Sequence, residues 1–375
     1  MYTYDEIMRQ CECWLELPEL VRKHRSGLNA FLERYMDADG IISFTGAGSS
    51  EYIGRTILPY VKKHCPYAVD CCGSTDLVVA PESYISSGRK NVLVSFARSG
   101  DSPESLGAIK AAQSVSDNIV NVIITCNYDG ALNKYGSDRD DCYVINLPQI
   151  INDSGFAMTN SFTSMYYTAL LCFAEEKTSE CVTAISQCAE HAGRLLHSAL
   201  ELLSQRVCEY KFERIVYLGS EAFKGLAQES ALKMLELTRG YVATLFDTPM
   251  GFRHGPKSFI NGRTLVVLYL SDSECSRRYE LDLLREMASQ RNDNRILTVC
   301  ATQCIEAKEL SDYYICYDNE LKFENALIGP ELLTMAQLIA LHRSESFGID
   351  PDNPNPAGVV NRVVKGVTIY EYERK

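Results

Sequence analysis

The chain has 375 residues, a formal net charge of −12 and a sequence pI near 5.1, with 46% apolar and 23% charged residues. That balance excludes a disordered chain and a general nucleic-acid surface, and no Lys/Arg cluster makes a local exception. Two domains of ordinary size are expected at this length. No uninterrupted apolar run reaches the roughly 18 residues needed to cross a bilayer. The polar, acidic opening MYTYDEIMRQ does not read as a signal peptide. A cytoplasmic protein with neither membrane nor nucleic-acid partner is therefore expected. Its 15 cysteines are irregularly spaced, with no C-x-x-C and no matching His pair. They read as small buried hydrophobes in a reducing compartment, with no metal site.

Two helices are expected over residues 1–38, from Tyr4 to Leu17 and from Leu20 to Met36, interrupted at Pro18. Strands and helices then alternate. Ile41–Phe44 reads as a strand ending in Thr45-Gly46-Ala47-Gly48-Ser49-Ser50, followed by a helix from Tyr52. Asn91–Phe96 reads as a second strand, ending in Ala97-Arg98-Ser99-Gly100-Asp101-Ser102-Pro103-Glu104-Ser105 before another helix. Further strands are expected from Val120 and Asp141, and long helices over Phe162–Glu176 and Cys181–Arg206. Continuous apolar strand runs between helices indicate parallel sheet covered on both faces. Strand starts at Ile41, Asn91, Val120 and Asp141 are echoed at Ile215, Thr264, Arg295 and Ser311 at nearly the same spacing, so the same α/β unit occurs twice. A helix from Pro330 to Phe347 and a Pro/Asn-rich tail close the chain.

Ligands of open parallel sheets sit beyond the C-terminal strand ends. The first-half loops there are rich in Ser and Gly, and both open helices whose N-termini attract anions. Ser49, Ser50, Ser99, Ser102 and Ser105, with Gly100 between them, offer what a phosphomonoester needs. Ser and Gly are also ordinary helix caps; two such loops on consecutive strand ends favour phosphate. A dinucleotide fingerprint is incomplete, because Glu51 stands where its third glycine would fall, and the P-loop Lys-Ser/Thr is absent. The second-half counterpart, Leu270-Ser271-Asp272-Ser273-Glu274, is acidic and lacks glycine. Instead, that half carries Glu229, Lys233 and Glu236 at i, i+4 and i+7 on one helix face, and then Phe252-Arg253-His254-Gly255-Pro256. Such a stripe is also a common surface ion-pair pattern. Two carboxylates, an amine and an imidazole in one supersecondary unit can equally move protons on a small polar substrate.

These residues resemble a double sugar-isomerase (SIS) domain protein and, within that group, the tagatose-6-phosphate ketose/aldose isomerase family, also called galactosamine-6-phosphate deaminase/isomerase. The resemblance runs the length of the chain and is carried by FTGAGSSEYIGR, ARSGDSPES, the FAMTNSFTSM run from Phe156, and ESALKMLELTRG followed by GFRHGP. The isomerase half of glucosamine-6-phosphate synthase is also similar: its E-x-x-x-K-x-x-E and H-G-P motifs fall on Glu229, Lys233, Glu236 and His254, and its C-terminal active-site lysine on Lys365. The resemblance implies two tandem SIS-type, doubly wound parallel-sheet (flavodoxin-like) α/β domains with an N-terminal helical segment. The expected boundaries are 1–38 for those helices, 39–206 for a phosphate-binding domain with bridging helices, 207–348 for a catalytic domain and 349–375 for a tail that completes the site.

By that resemblance, Ser50, Ser99 and Ser102, with Ser49, Gly100 and Ser105 nearby, hold a sugar 6-phosphate. Ala97 and Arg98 stand where the synthase has Ser-Gln, and Arg98 would supply charge instead. His254 would help to open the pyranose ring, Glu236 would shuttle a proton between C1 and C2, and Lys365 would engage the open chain or form an imine. No cofactor is implied. A homodimer or larger homo-oligomer with a site shared between subunits is. The synthase feeds its isomerase with ammonia from a glutaminase for which this chain leaves no room, so deamination of galactosamine 6-phosphate to tagatose 6-phosphate and ammonia is the expected direction. Plain aldose–ketose isomerisation by the same residues stays open, as does deglycation of a sugar-phosphate adduct. A non-catalytic sugar-phosphate sensor would leave the Glu/Lys/Glu/His set idle.

Overall fold

The computed structural model describes residues 1–364 and 366–372. Among these residues ten strands form two sheets of five. The first holds β1 (Ile41–Gly46), β2 (Ala68–Gly73), β3 (Asn91–Ala97), β4 (Ile119–Thr125) and β5 (Cys142–Asn146) in the order β2-β1-β3-β4-β5. The second holds β6 (Arg214–Leu218), β7 (Ala243–Asp247), β8 (Thr264–Leu270), β9 (Arg295–Cys300) and β10 (Tyr313–Cys316) in the order β10-β9-β8-β6-β7, which is the first order read from the other edge. All pairings are parallel, and register repeats with topology: Ile41 is matched to Ala68 and Asn91, Arg214 to Ala243 and Thr264. The doubly wound repeat expected from strand spacing is thus present.

Two strands are additions to the sequence reading. β2 (AVDCCG) and β7 (ATLFD) are edge strands, alternately or partly exposed, and lack the apolar run that marks a strand buried on both faces. The central strands β3, β4 and β8 are buried at every position. Leu93 and Ile123 pack with Ala108, Ile109 and Ala112 of the helix Pro103–Val115 in one core, and Val216, Leu268 and Ile296 with Leu283 and Leu284 of the helix Glu274–Ser289 in the other. Deleting one such leucine side chain costs about 2–5 kcal/mol.

The N-terminal helices run Tyr2–Trp14 and Leu17–Tyr35, with Pro18 in the first turn of the second, where its missing N–H does no harm. The chain divides into two compact units. One gathers Met1–Glu12, Ser154–Thr159 and Thr183–Pro356; the other gathers Cys13–Asp153, Asn160–Val182 and the segment from Ala357. In the first unit, the Asp352 carboxylate accepts the Tyr2 and Thr3 amides and so caps the N-terminal helix. In the second, every residue of the helix Asn160–Phe173 is buried, and Asp153 accepts the Asn160 and Ser161 amides at its start. No helix among the described residues is long and apolar enough to cross a membrane.

The helix Asn325–Ser346 is buried on every side up to Leu341 and carries Glu331, fully buried. Its carboxyl accepts from the Asn319 amide at 2.9 Å, and burial raises its pKa well above the ordinary 4.5. The folded state holds this proton more tightly than the unfolded chain. The stability it contributes is therefore complete below the unfolded pKa and is lost as pH rises toward the folded one. Glu331→Gln, which keeps the shape and cannot ionise, should match wild type in melting temperature near pH 5 and exceed it increasingly toward pH 8. Parallel melting curves across that range would refute this.

Candidate active site

Both sheets reverse their winding beside the first strand of the repeat, between β1 and β3 and between β6 and β8, where a parallel sheet opens a crevice. In the first sheet β1 ends at Gly46. A Cβ there would lie 2.6 Å from the Ser50 carbonyl carbon and 2.7 Å from the Ser50 Cβ, so glycine is required for the helix Ser49–His64 to start this close. Gly48, at φ +56°, makes the turn, which puts the buried Ser49 and Ser50 in the first helical turn.

Register sets the loop after β3 beside it, since Thr45 pairs with Ser95. Here Gly100 turns at φ +68°, Ser102 precedes the helix, Pro103 opens it and Ser105 lies in its first turn. Ser99, Ser102 and Ser105 are partly exposed. The next loop braces this one: the Asn127 side chain donates to the Ser99 carbonyl at 2.8 Å, the Leu132 amide to the Gly100 carbonyl at 3.0 Å and the Ala131 amide to Asp101 at 2.9 Å. Asn127 is not among the residues expected from sequence; its signal there is the Asn-Tyr-Asp-Gly turn after β4. The result is a preorganised cradle of two helix starts and five hydroxyls, suited to an anion. Arg98 is buried behind it and donates from Nη2 to the Arg362 carbonyl at 3.1 Å. Lys365 lies outside the described residues.

The second sheet keeps the backbone of this cradle and fills it differently. Glu221 adopts φ +54° and ψ −123°, almost the angles of Gly48 (+56°, −127°), a costly conformation for a residue with a Cβ. Gly219 is crowded by Phe223 as Gly46 is by Ser50. After β8, Ser271 donates its amide and hydroxyl to the carboxylate of buried Glu280, at 2.8 and 2.6 Å, and Arg277 and Thr302 hold Asp272. Burial raises the Glu280 pKa. The chain's own carboxyl groups thus occupy donors that the first repeat leaves to its serines.

The helix Ala222–Leu237 is rich in strong helix formers and packs against β6, β7 and the helix Asn325–Ser346. Its charged stripe faces inward: Glu229 and Lys233 are fully buried, and the Glu236 side chain is 24% exposed. Lys233 Nζ lies 3.3 Å from Glu229 Oε1 and donates to Glu236 Oε2 at 2.6 Å. A solvated surface pair is therefore excluded. Removing an ammonium from water requires such partners, and Lys233 in turn fixes Glu236 with one edge open to solvent. The open carboxylate beside a fixed cation is equipped to take and return a proton.

His254 is exposed on a firmly anchored loop. Thr248 caps the short helix Pro249–Phe252 through the Gly251 amide at 3.0 Å, Phe252 is fully buried in the core, and Arg253 and Lys257 both pair with Glu286. Gly255 follows at φ +117°. Among the described residues no group of three or more His, Cys, Asp or Glu is placed to hold a metal ion.

No protein-family model matches the chain. It is 36% identical to the D-galactosamine-6-phosphate deaminase AgaS of Shewanella sp. (strain ANA-3), over 99% of this chain and 92% of that protein. It is 37% identical to the D-galactosamine-6-phosphate deaminase AgaS of Escherichia coli, over 99% of this chain and 96% of that one. The crystal structure of tagatose-6-phosphate ketose/aldose isomerase from Escherichia coli superposes with a TM-score of 0.90 at 34% identity, covering 100% of this chain and 97% of the other. A paired-SIS fold, two Ser/Gly turns in one repeat and a Glu/Lys/Glu cluster around a buried lysine in the other accompany identity that spans both. The chain belongs to the galactosamine-6-phosphate deaminase AgaS family of sugar-phosphate enzymes.

Proposed function

We propose that this chain deaminates and isomerises galactosamine 6-phosphate to tagatose 6-phosphate and ammonia. The observation that carries this reading is the Lys233 ammonium held between two carboxylates, of which Glu236 alone is open to solvent. Ser49, Ser50, Ser99, Ser102 and Ser105, with the Gly100 turn, take the 6-phosphate, and the helix starts add their dipoles. His254 shuttles the proton that opens the pyranose to the aldehyde, and Lys365 engages the open chain. Glu236, held through Oε2 by Lys233, removes the C2 proton through Oε1 and returns it to C1. With a second proton passing from the C2 amino group to O1, the C1 aldehyde becomes a hydroxymethyl group and C2 a ketimine, an internal redox change that calls for no external oxidant. Water then adds to C2 and the C–N bond breaks, giving the ketose phosphate and ammonia. Glu229, 3.3 Å from Lys233 Nζ, balances its charge within the buried cluster.

His254, exposed on its anchored loop, fits donation to a neighbouring subunit, so a homodimer or larger homo-oligomer in the cytoplasm belongs to this proposal. Plain ketose/aldose isomerisation is the second reading. It is favoured by the name of the Escherichia coli structure that superposes on the chain and would use the same residues without releasing ammonia.

Ammonia release from galactosamine 6-phosphate and from glucosamine 6-phosphate, with chelator present, separates these readings. Preferential release from the galacto sugar, untouched by chelator, is the expected result. Interconversion of tagatose 6-phosphate with its aldose and no ammonia from either amino sugar would replace deamination with isomerisation. Glu236→Gln should lower kcat by about 10²–10⁴-fold while sugar-phosphate binding persists. Ser99→Ala and Ser102→Ala should instead raise KM about tenfold each with kcat nearly unchanged, because a phosphate contact binds ground state and transition state alike. A loss confined to kcat would remove those serines from the phosphate site.

A further inference from the structure

We infer that Arg98 is a positioning residue, a latch between the phosphate loop and the C-terminal segment, and not a phosphate ligand. The inference deepens the proposed function and rests on it. By place in the sequence Arg98 belongs to the anion cradle, between β3 and Ser99. By geometry its guanidinium is committed elsewhere: the residue is only 7% exposed and its Nη2 donates to the main-chain carbonyl of Arg362 at 3.1 Å.

The acceptor strand is itself clamped. The Arg362 side chain donates to the Asn152 side-chain oxygen at 3.3 Å and to the Asp153 carbonyl, and the Asp153 carboxylate caps the fully buried helix Asn160–Phe173. Further along, Ile369 lies on Gly107, where an added Cβ would come within 3.1 Å of two of its carbons, and Tyr372 packs against the core around Leu93 and Ile109. Gly107 belongs to the helix that begins at Pro103, directly after the phosphate loop. The C-terminal segment is therefore fastened to the loop through the Arg362 carbonyl and to the helix after it through Ile369 on Gly107, with Lys365 between the fastenings in sequence.

Phosphate settling on Ser99–Ser102 fixes the residue bonded to Arg98, and Arg98 passes that constraint to the segment carrying Lys365. A planar guanidinium suits this role, because several N–H groups hold one orientation while the long stem reaches out of the loop. A lysine there keeps the charge and loses the fork.

The test uses full-length wild type, Arg98→Met, Arg98→Lys and Arg362→Gln. Three quantities are read: the affinity for inorganic phosphate, hydrogen exchange of residues 357–372, and kcat and KM for galactosamine 6-phosphate. The latch predicts phosphate affinity within about twofold of wild type in all three variants. It also predicts exchange of the segment faster by about tenfold and kcat lower by a similar factor, as the loss of a charge-assisted hydrogen bond implies. Arg362→Gln alters a side chain bonded to Asn152 and the Asp153 carbonyl and should share this pattern, and it carries the test with Arg98→Lys if Arg98→Met fails to fold. A tenfold or larger loss of phosphate affinity with unchanged exchange would overturn the latch and make Arg98 a ligand. So would variants indistinguishable from wild type in exchange. Absence of ammonia release by wild type would defeat the proposed reaction instead, and the exchange and phosphate measurements would still decide the latch.

Discussion

A parallel strand cannot be followed by a tight hairpin; the chain must cross back over a face of the sheet before the next strand can start. Ten strands among the described residues, all paired in parallel, make this constraint govern the protein. It obliges the central strands to be buried on both faces, which β3, β4 and β8 satisfy at every position. It also gathers the strand-to-helix turns at one edge of each sheet. Those turns are where backbone amides and short polar side chains collect, and chemistry can be varied there without disturbing the core.

The two repeats show how far that freedom extends. The turn after β1 and the turn after β6 share a backbone conformation closely enough that Glu221 takes the left-handed geometry of Gly48. What differs is the set of groups that meet the donors. Serines surround the first crevice, whereas Glu280 accepts the Ser271 amide and hydroxyl in the second and burial raises its pKa. Glu280 thus already takes the amide and hydroxyl of Ser271 at the start of this loop.

On that helix the decisive quantity is burial. Glu229, Lys233 and Glu236 would be an unremarkable ion-pair ladder on a solvated face, worth a few tenths of a kcal/mol. Enclosed by β6, β7 and the helix Asn325–Ser346, the same three residues form a desolvated triad in which each charge depends on its neighbours. Removing Lys233 would strand a buried carboxylate, so stability and the proposed chemistry rest on one ammonium. Arg98 illustrates the complementary case: its sequence position points to an anion, and its geometry ties it to the chain's own carbonyl.

The sequence by itself determined the doubly wound repeat, the two Ser/Gly turns, the i, i+4, i+7 stripe and the glycine-flanked histidine. Each of these is written in local periodicity or in the φ/ψ demands of a turn, which neighbouring residues fix. The edge strands β2 and β7 were not legible, because a half-exposed strand has no continuous apolar run to announce it. Nor was the inward orientation of the Glu229–Glu236 stripe, the bracing of Ser99 by Asn127, the Glu280 carboxylate beneath Ser271, or the bond from Arg98 to Arg362. The hydrogen bonds among these join residues from 9 to 264 positions apart, and such burial and partners are set only when the sheets have formed. Spacing told which groups share a face; only the tertiary structure decided whether that face meets water.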